Sequence, residues 1–277
     1  MNDIDWLDLI SCVLGAVAGG LAIFHVTAGF YHVRYYRRRR KEPETWKIQE
    51  KRWPRPGHQR RAALMSSANL ALGGLGTGLL IYAVKHGHVD MPLYYDVSDY
   101  GWTYTLLTTI ALFVVFDGIA YYVHRALHTK WLFRNIHRHH HKFVATTAYV
   151  TVAVHPVELL VLQWVTFIPL FLVPLWVGSP IIALVYILVF NIIDHSGVDL
   201  DSDLPWQGSP RYHDDHHAHF HCNFGQHLML WDRLHGTLRV PGRTYGKHIF
   251  GGRGQTPTGT NKPDTDDPTF QGYGTQQ

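Results

Sequence analysis

Long apolar blocks, rather than the spaced apolar positions of amphipathic helices, organise this sequence. The first block covers residues 9–31, interrupted by His25 and Thr27, the second is the glycine-rich stretch 62–84, and the third covers 104–123. A hydrocarbon core about 30 Å thick needs roughly 20 apolar residues in a helix that crosses it. We therefore predict a transmembrane helix for each block, and the small glycines of the second block favour close packing against another helix.

A fourth apolar block, residues 157–193, is long enough for two segments. It is broken by Pro174, Gly178, Ser179 and Pro180, which are residues typical of a turn. The pattern predicts a helical hairpin whose second helix is short and either spans or re-enters the membrane. The expected fold class is all-α: an integral membrane bundle of four to five transmembrane or re-entrant helices with a histidine-rich helical cap.

The charged residues indicate the topology of this bundle. The chain of 277 residues has a formal net charge of +4, and its densest basic run, Arg34 with residues 37–41, follows the first apolar block. Basic loops beside membrane spans stay in the cytoplasm, so residues 34–61 are predicted to be cytoplasmic. Counting crossings from this loop places the histidine clusters described below on the same face. Because a basic run in this position is a topology signal, no nucleic acid partner is expected.

Eight histidines in three clusters carry the candidate chemistry. Members of each cluster are three or four residues apart, so a helix presents them on one face, and each cluster is expected to direct its imidazoles at one point. The clusters are His124 and His128; His137, His140 and His141; and His213, His216 and His217. His139 falls on the opposite face. Asp117 and Tyr121 extend the stripe of the first cluster, and we expect Asp117 to orient a ligand through a hydrogen bond.

The regular spacing favours a metal site over histidines that merely lie at a membrane interface. Imidazole suits zinc, copper, iron and nickel, and a structural site uses about four ligands for one ion. Eight histidines are therefore too many for one ion, and the sequence predicts two ions that share them. Cys12 and Cys222 are far apart and form no C-x-x-C pair, so neither a disulfide framework nor an iron–sulfur motif is indicated.

The three clusters resemble the histidine boxes of the fatty acid hydroxylase and sterol desaturase superfamily. Further pieces between residues 117 and 237 match in order and resemble the sterol C5-desaturase, or lathosterol oxidase, branch. These pieces are Asp117 with Tyr121, His155-Pro156-x-Glu158, His195, Asn223-Phe224-Gly225 and Trp231-Asp232-Arg233-x-x-Gly236-Thr237.

The resemblance implies a non-heme enzyme with two iron ions, whose ligands are the eight clustered histidines and His195. His155 is either a further ligand or a cap at the start of a helix. Asp117, Tyr121 and Asn191 are expected to support the ligands, with Asn191 hydrogen-bonding between helices. No catalytic side chain beyond these and no organic cofactor is expected. Four histidines beyond the family pattern are expected to face solvent or the rim of the site: His219, His221, His227 and His235.

The chain is expected to divide into three parts, and the resemblance implies an activity. Residues 1–103 are expected to form membrane helices with the basic loop, 104–250 a catalytic domain, and 251–277 a disordered tail. The expected activity is O₂-dependent desaturation or hydroxylation of a sterol or related lipid in lipid biosynthesis. Two alternatives stay open, namely a hydroxylase of fatty-acyl or other lipids and a non-enzymatic metal transporter or storage protein.

No dinucleotide fingerprint, cysteine cluster or haem-binding segment is recognisable in the sequence. Electrons are therefore expected from a separate donor such as cytochrome b5 or a ferredoxin. The membrane is expected to be the endoplasmic reticulum in a eukaryote or the inner membrane in a bacterium.

Overall fold

Three long helices form the frame of the molecule. The computed structural model describes residues 4–202, 204 and 206–239, so the predicted tail at 251–277 and the end of the predicted catalytic domain lie outside the described residues. The long helices are α1, Trp6–Tyr31, continued by a π-helix over His32–Arg37; α2, His58–Lys85; and α3, Gly101–Leu127. All three are long and apolar enough to cross a membrane, and they contain the three apolar blocks from which they were predicted.

Short helical pieces follow α3 and carry the second histidine cluster. They are α4, Lys130–Leu132; a π-helix, Phe133–His137; and α5, Arg138–His141. Single 3-10 turns lie at Pro43–Thr45, Val97–Asp99 and Ala148–Val150.

The predicted hairpin is present. Its helices are α6, Pro156–Phe167, continued as a 3-10 helix over Ile168–Phe171, and α7, Gly178–Asp194. Between them the strand β2, Leu175–Trp176, pairs in parallel with β1, Leu93–Tyr94, which lies between α2 and α3. The hairpin turn is therefore tied to the end of the bundle where α3 begins, opposite to the end where His124 lies.

Two helices complete the cap beside the ends of α3 and α7: α8, Pro210–His219, and α9, Leu230–His235. A core of Leu112, Phe116, Phe167, Leu170, Leu175 and Ala183 joins α3 to the hairpin. The predicted all-α bundle with a histidine-rich cap is confirmed, because among the described residues the two strands contribute only two residues each.

The glycines of α2 make the close helix contact that the sequence predicted. A Cβ added at Gly78 would lie 2.4 Å from the Cα of Val13 in α1, and one at Gly74 would lie 2.8 Å from the Cα of Val17. Both distances are shorter than any van der Waals contact between carbon atoms. The backbones of α1 and α2 can therefore approach this closely only because neither position has a side chain.

Candidate metal centre

Nine histidines meet at the end of the bundle where α3 and α7 finish. The first cluster ends α3, His195 follows α7, and the others lie on the π-helix, α5 and α8. All nine are at most 4% exposed: His124, His128, His137, His140, His141, His195, His213, His216 and His217. Every histidine predicted as a ligand, except the uncertain His155, is thus brought into one buried region.

The nine histidines form two groups. One contains His124, His128, His137, His141 and His216, and the other contains His140, His195, His213 and His217. Within each group the candidate ligand atoms all lie within 4.8 Å of one another. Each group can therefore surround one metal ion, and the two groups together can hold two.

The expectation that each sequence cluster points at one place is wrong for two of the three clusters. His137 and His141 join the five-histidine group, whereas His140 faces the other group. The third cluster divides in the same way, because His213 and His217 stay together and His216 does not. With 3.6 residues per turn, side chains at i and i+4 differ by only about 40° around the helix, whereas i and i+3 differ by about 60° in the opposite sense. The i, i+4 pairs therefore lie in the same histidine group, and the remaining histidine of the cluster turns to the other group.

Hydrogen bonds at the outer nitrogens determine which nitrogens face inward. His124 Nδ1 lies 2.8 Å from the carbonyl oxygen of Phe224, and His137 Nδ1 lies 2.8 Å from Glu158 Oε1. Both of these partners accept hydrogen bonds, and for His124 the carbonyl contact is shorter than the 3.1 Å contact of the same Nδ1 with Gln226 Nε2, so we assign the proton of each ring to Nδ1 and a bare lone pair to each Nε2. These two Nε2 atoms lie 3.1 Å apart, with no proton between them to form a hydrogen bond. A cation between the two lone pairs removes their repulsion, and this fits a metal ion at the site.

The same arrangement continues around both groups. His216 Nδ1 donates to the carbonyl oxygen of Cys222 over 2.7 Å, and His195 Nδ1 donates to that of Asn191 over 2.7 Å. His195 Nε2 then lies 3.2 Å from His140 Nε2 and 3.0 Å from His213 Nε2. Two nitrogens at right angles on one ion, each about 2.1 Å away, would be about 3.0 Å apart. The observed spacings suit neighbouring ligands on one ion.

Burial keeps these imidazoles in the neutral form that binds metal. It lowers the pKa of His195 to about 4 and that of His216 to about 3. For His128, His140 and His213, burial and then the neighbouring imidazoles hold the pKa well below its usual range. These five imidazoles are therefore uncharged nitrogen donors at neutral pH.

Glu158 is a candidate site residue whose role the sequence alone does not indicate. It lies in the first turn of α6, and its carboxylate, like the imidazole of its partner His137, is buried at only 3% exposure. A buried acidic side chain at the start of an apolar helix is a signal of function, but only the fold shows that its partner is His137.

The residues expected to support the ligands act differently from the prediction. Asp117 does not orient an imidazole: its carboxylate accepts from the backbone N–H groups of His227, at 2.9 Å, and Leu228, at 3.3 Å, and from Trp231 Nε1, at 2.9 Å. The Tyr121 hydroxyl lies 3.0 Å from Thr237 Oγ1. Through these contacts both residues of α3 hold the stretch 222–237, which follows α8 and passes close to the candidate ligands. Asn191 does orient His195, but through its backbone carbonyl.

The stretch 222–237 is also held by Asp232, which lies in the first turn of α9. Its carboxylate accepts from the backbone N–H groups of Phe224, at 3.0 Å, and Gly225, at 2.7 Å, and from the hydroxyl of Tyr212. Since the carbonyl groups of Cys222 and Phe224 fix two ligand imidazoles, the family-like pattern around Asp232 positions the metal site from outside.

The histidines outside the two groups differ in burial and in contacts. His155 belongs to neither histidine group; its Nδ1 accepts from Val157 N–H over 3.2 Å and caps α6, as the second of its two predicted alternatives requires. His139 stacks on His155 and faces away, as predicted. His219, His221 and His235 are half-buried, but His227 is only 1% exposed, so its predicted place at the rim is wrong.

A cavity of about 520 Å³ leads from the apolar helices to the histidines. Its walls come from α1, α2, α3, α6 and α7, and its inner end includes His124, His137, His140, His195 and His213. The volume is within the range of roughly 300–1,000 Å³ that is usual for small-molecule sites. An apolar molecule of lipid size can therefore reach the metal centre from within the bundle.

Comparison with known proteins agrees with the motifs. A sequence model of the fatty acid hydroxylase family matches residues 109–237, just under half of the chain. The resemblance to the fatty acid hydroxylase and sterol desaturase superfamily is thus confirmed over nearly the same residues from which it was inferred.

The curated relatives include sterol-modifying enzymes. Lathosterol oxidase of Rattus norvegicus is 31% identical over 159 residues, 56% of this chain and 53% of the relative. A Delta(7)-sterol 5(6)-desaturase of Gibberella zeae is 29% identical over 54% of this chain and 47% of the relative, and one of Schizosaccharomyces pombe is 30% identical over 57% and 52%. The matched part of the chain spans about half the length of these relatives. No solved structure matches the chain significantly.

Proposed function

We propose that the protein is a membrane oxidoreductase that uses O₂ and two iron ions to desaturate or hydroxylate a sterol or a related lipid. One observation carries this proposal: two groups of buried histidines, five and four, converge at the inner end of an apolar cavity. A binding site for a soluble metabolite would not need apolar walls formed by candidate membrane helices. The similarity to lathosterol oxidase supports the choice of a sterol.

Nine histidines are the proposed iron ligands, five for one ion and four for the other. When bound, iron supplies the activation of O₂ that allows hydrogen to be removed from an unactivated C–H bond. The protein supplies the rest. Glu158 and the carbonyl groups of Phe224, Cys222 and Asn191 hold four imidazoles with Nε2 inward, and the buried cavity keeps water from the reacting carbon.

The proposed topology has five membrane segments with the histidines on the cytoplasmic face. The pairing of β2 with β1 supports a hairpin that reaches the far end of the bundle, since β1 immediately precedes the region where α3 begins. The basic π-helix that ends α1 supports a cytoplasmic position for the loop after it. The endoplasmic reticulum in a eukaryote, or the inner membrane in a bacterium, is the proposed location.

Electrons are proposed to come from a separate protein such as cytochrome b5 or a ferredoxin. The loop after α1 contains Arg38, Arg40 and Arg52, whose positive charge suits either an acidic donor or anionic lipid.

The experiment is to measure iron content and lipid turnover of the same purified protein. We expect about two iron ions per chain and O₂-dependent conversion of at least one member of a panel of sterols and fatty acids. His140→Ala is the inactive blank, and His139→Ala is the matched control because His139 faces away from both groups. By mass spectrometry, loss of two hydrogens identifies desaturation and gain of one oxygen identifies hydroxylation. Turnover of no lipid by iron-loaded protein would contradict the proposal and favour the metal-storage alternative.

A further inference from the structure

His227 is a buried histidine that belongs to neither metal group. Its side chain is 1% exposed and lines the cavity, yet neither ring nitrogen has a hydrogen-bond partner among the described residues. Buried polar groups are nearly always bonded, because leaving one unsatisfied costs its full desolvation. The free nitrogens of His227 therefore call for a partner that enters the cavity.

The surroundings of His227 hold its ring in place. Its backbone N–H donates to Asp117 Oδ1 over 2.9 Å, and its ring centroid lies 6.0 Å from that of Phe113 and 5.6 Å from that of Tyr186. Packed in this way, the imidazole cannot turn outward to find water. Its unsatisfied nitrogens are a fixed feature of the cavity wall.

Other polar side chains of the wall are already engaged. Asn69 Nδ2 donates to the carbonyl groups of Val152 and Val154, and Gln163 Nε2 donates to that of Gly73. Glu158 Oε2 is unbonded, but its carboxylate already holds the ligand His137. Among the described lining residues outside the nine histidines, His227 is the one buried polar side chain with no bonded atom of its own.

We propose that His227 accepts a hydrogen bond from a hydroxyl group of the lipid, so that the substrate is a lipid alcohol whose oxygen lies at His227 in the cavity wall. A neutral imidazole has one donor and one acceptor. We take Nδ1 as the protonated nitrogen; the nearest acceptor, Asp194 Oδ2, lies 3.7 Å from it, which is too far for a good hydrogen bond. Nε2 is then the acceptor, and an O–H group satisfies it whereas an ether or ketone oxygen does not.

This inference deepens the proposed function, on which it rests for the nature of the molecule in the cavity. The test compares two matched pairs of probes on purified protein in nanodiscs: lathosterol with its 3-methyl ether, and 1-octadecanol with its methyl ether. Affinity is measured by the ligand-dependent shift of the thermal midpoint, which needs no turnover. The variants are His227→Phe, His227→Leu and His227→Gln, and His235→Phe is the control because His235 lies outside the cavity wall.

For the wild-type protein and His235→Phe, we expect about tenfold tighter binding of the alcohol than of the ether in one pair, as one uncharged hydrogen bond provides. The pair that shows this preference identifies a sterol or a chain alcohol. His227→Phe and His227→Leu should lose the preference while keeping iron, and His227→Gln should restore part of it. If one apolar variant does not fold, as judged by its iron content and thermal midpoint, the other decides.

Equal binding of alcohol and ether in both pairs by the wild-type protein would overturn the proposal. So would a preference that survives in a folded His227→Phe or His227→Leu protein. Protein that turns over lipid without this preference disproves the role of His227 alone. Protein that shows the preference but neither binds iron nor acts on lipid disproves the proposed function instead.

Discussion

At the scale of single residues, the outer hydrogen bond of each imidazole decides the chemistry of its inner nitrogen. Glu158 is the sharpest case, because it is a buried carboxylate whose Oε1 lies 2.8 Å from His137 Nδ1. It fixes the tautomer of His137 and raises the basicity of Nε2, which faces the proposed ion.

Replacement of Glu158 by Ala should therefore weaken metal binding. We expect iron affinity to fall by about 10- to 100-fold, the usual effect of removing a partner of a ligand histidine. Glu158→Gln should have a smaller effect, because its amide oxygen still accepts from His137. The measurement is residual iron per chain after dialysis against a graded series of chelator concentrations. The matched control is the exposed Glu50→Ala, and iron retention by Glu158→Ala equal to that control would show that Glu158 does not support a ligand.

These residue roles mark the limit of sequence reasoning. The candidate ligand histidines could be picked out because their i, i+3, i+4 spacing is local, and the structure brings them together. The partner of His137 could not, because Glu158 lies 21 residues away and meets it only when α6 packs beside the π-helix. Asp117 was expected to face a ligand for the same local reason, but α9 and the segment before it compete for its carboxylate. The burial of His227 could not be predicted either, because it depends on the contact of its backbone N–H with Asp117, 110 residues away in the chain.

At the scale of helices, the apolar blocks predicted the bundle well because hydropathy is a property of each segment alone. How closely two helices approach depends on pairs of positions. Gly78 meets the backbone of Val13, whereas Gly19 in α1 has no atom within 4 Å of the position of an added Cβ. These two glycines give a matched pair of substitutions that differ only in helix contact.

Gly78→Ala should force α1 and α2 apart and reduce the free energy of unfolding by about 1–3 kcal/mol, the usual cost of overpacking. Gly19→Ala should be neutral or stabilise the protein by roughly 0.5–1 kcal/mol, because alanine is the better helix former. The measurement is the unfolding midpoint in detergent micelles with a denaturant titration. Equal effects of the two substitutions would mean that α1 and α2 do not pack through Gly78.

The division of the histidines into groups also belongs to the scale of elements. The sequence predicts that His137, His140 and His141 share a helix, but the π-helix that ends at His137 and the position of α8 determine which neighbour each one meets. Two ions were predicted from the number of ligands; the five-and-four grouping required the packed cap.

At the scale of the whole molecule, the protein has two parts. The frame, formed by the long helices, is stabilised by apolar contacts, whereas the cap is built around two groups of histidines whose ring nitrogens face one another. The frame holds together through contacts such as that of α1 with α2, which need no metal. In the cap, His124 Nε2 and His137 Nε2 lie 3.1 Å apart without a proton between them. Metal binding is therefore expected to stabilise the cap selectively.

Removal of iron by a chelator should loosen the cap while leaving the frame folded. A ligand present at about 100 times its dissociation constant stabilises the folded state by about 2.7 kcal/mol. We expect amide hydrogen exchange to increase in α5, α8 and α9 and to remain unchanged in α1 and α2, which act as the internal reference. Readdition of iron should restore protection in the cap, whereas metal-free buffer alone should not. Unchanged exchange in the cap after complete removal of iron would show that direct contacts among the histidines, and not a metal ion, hold these helices together.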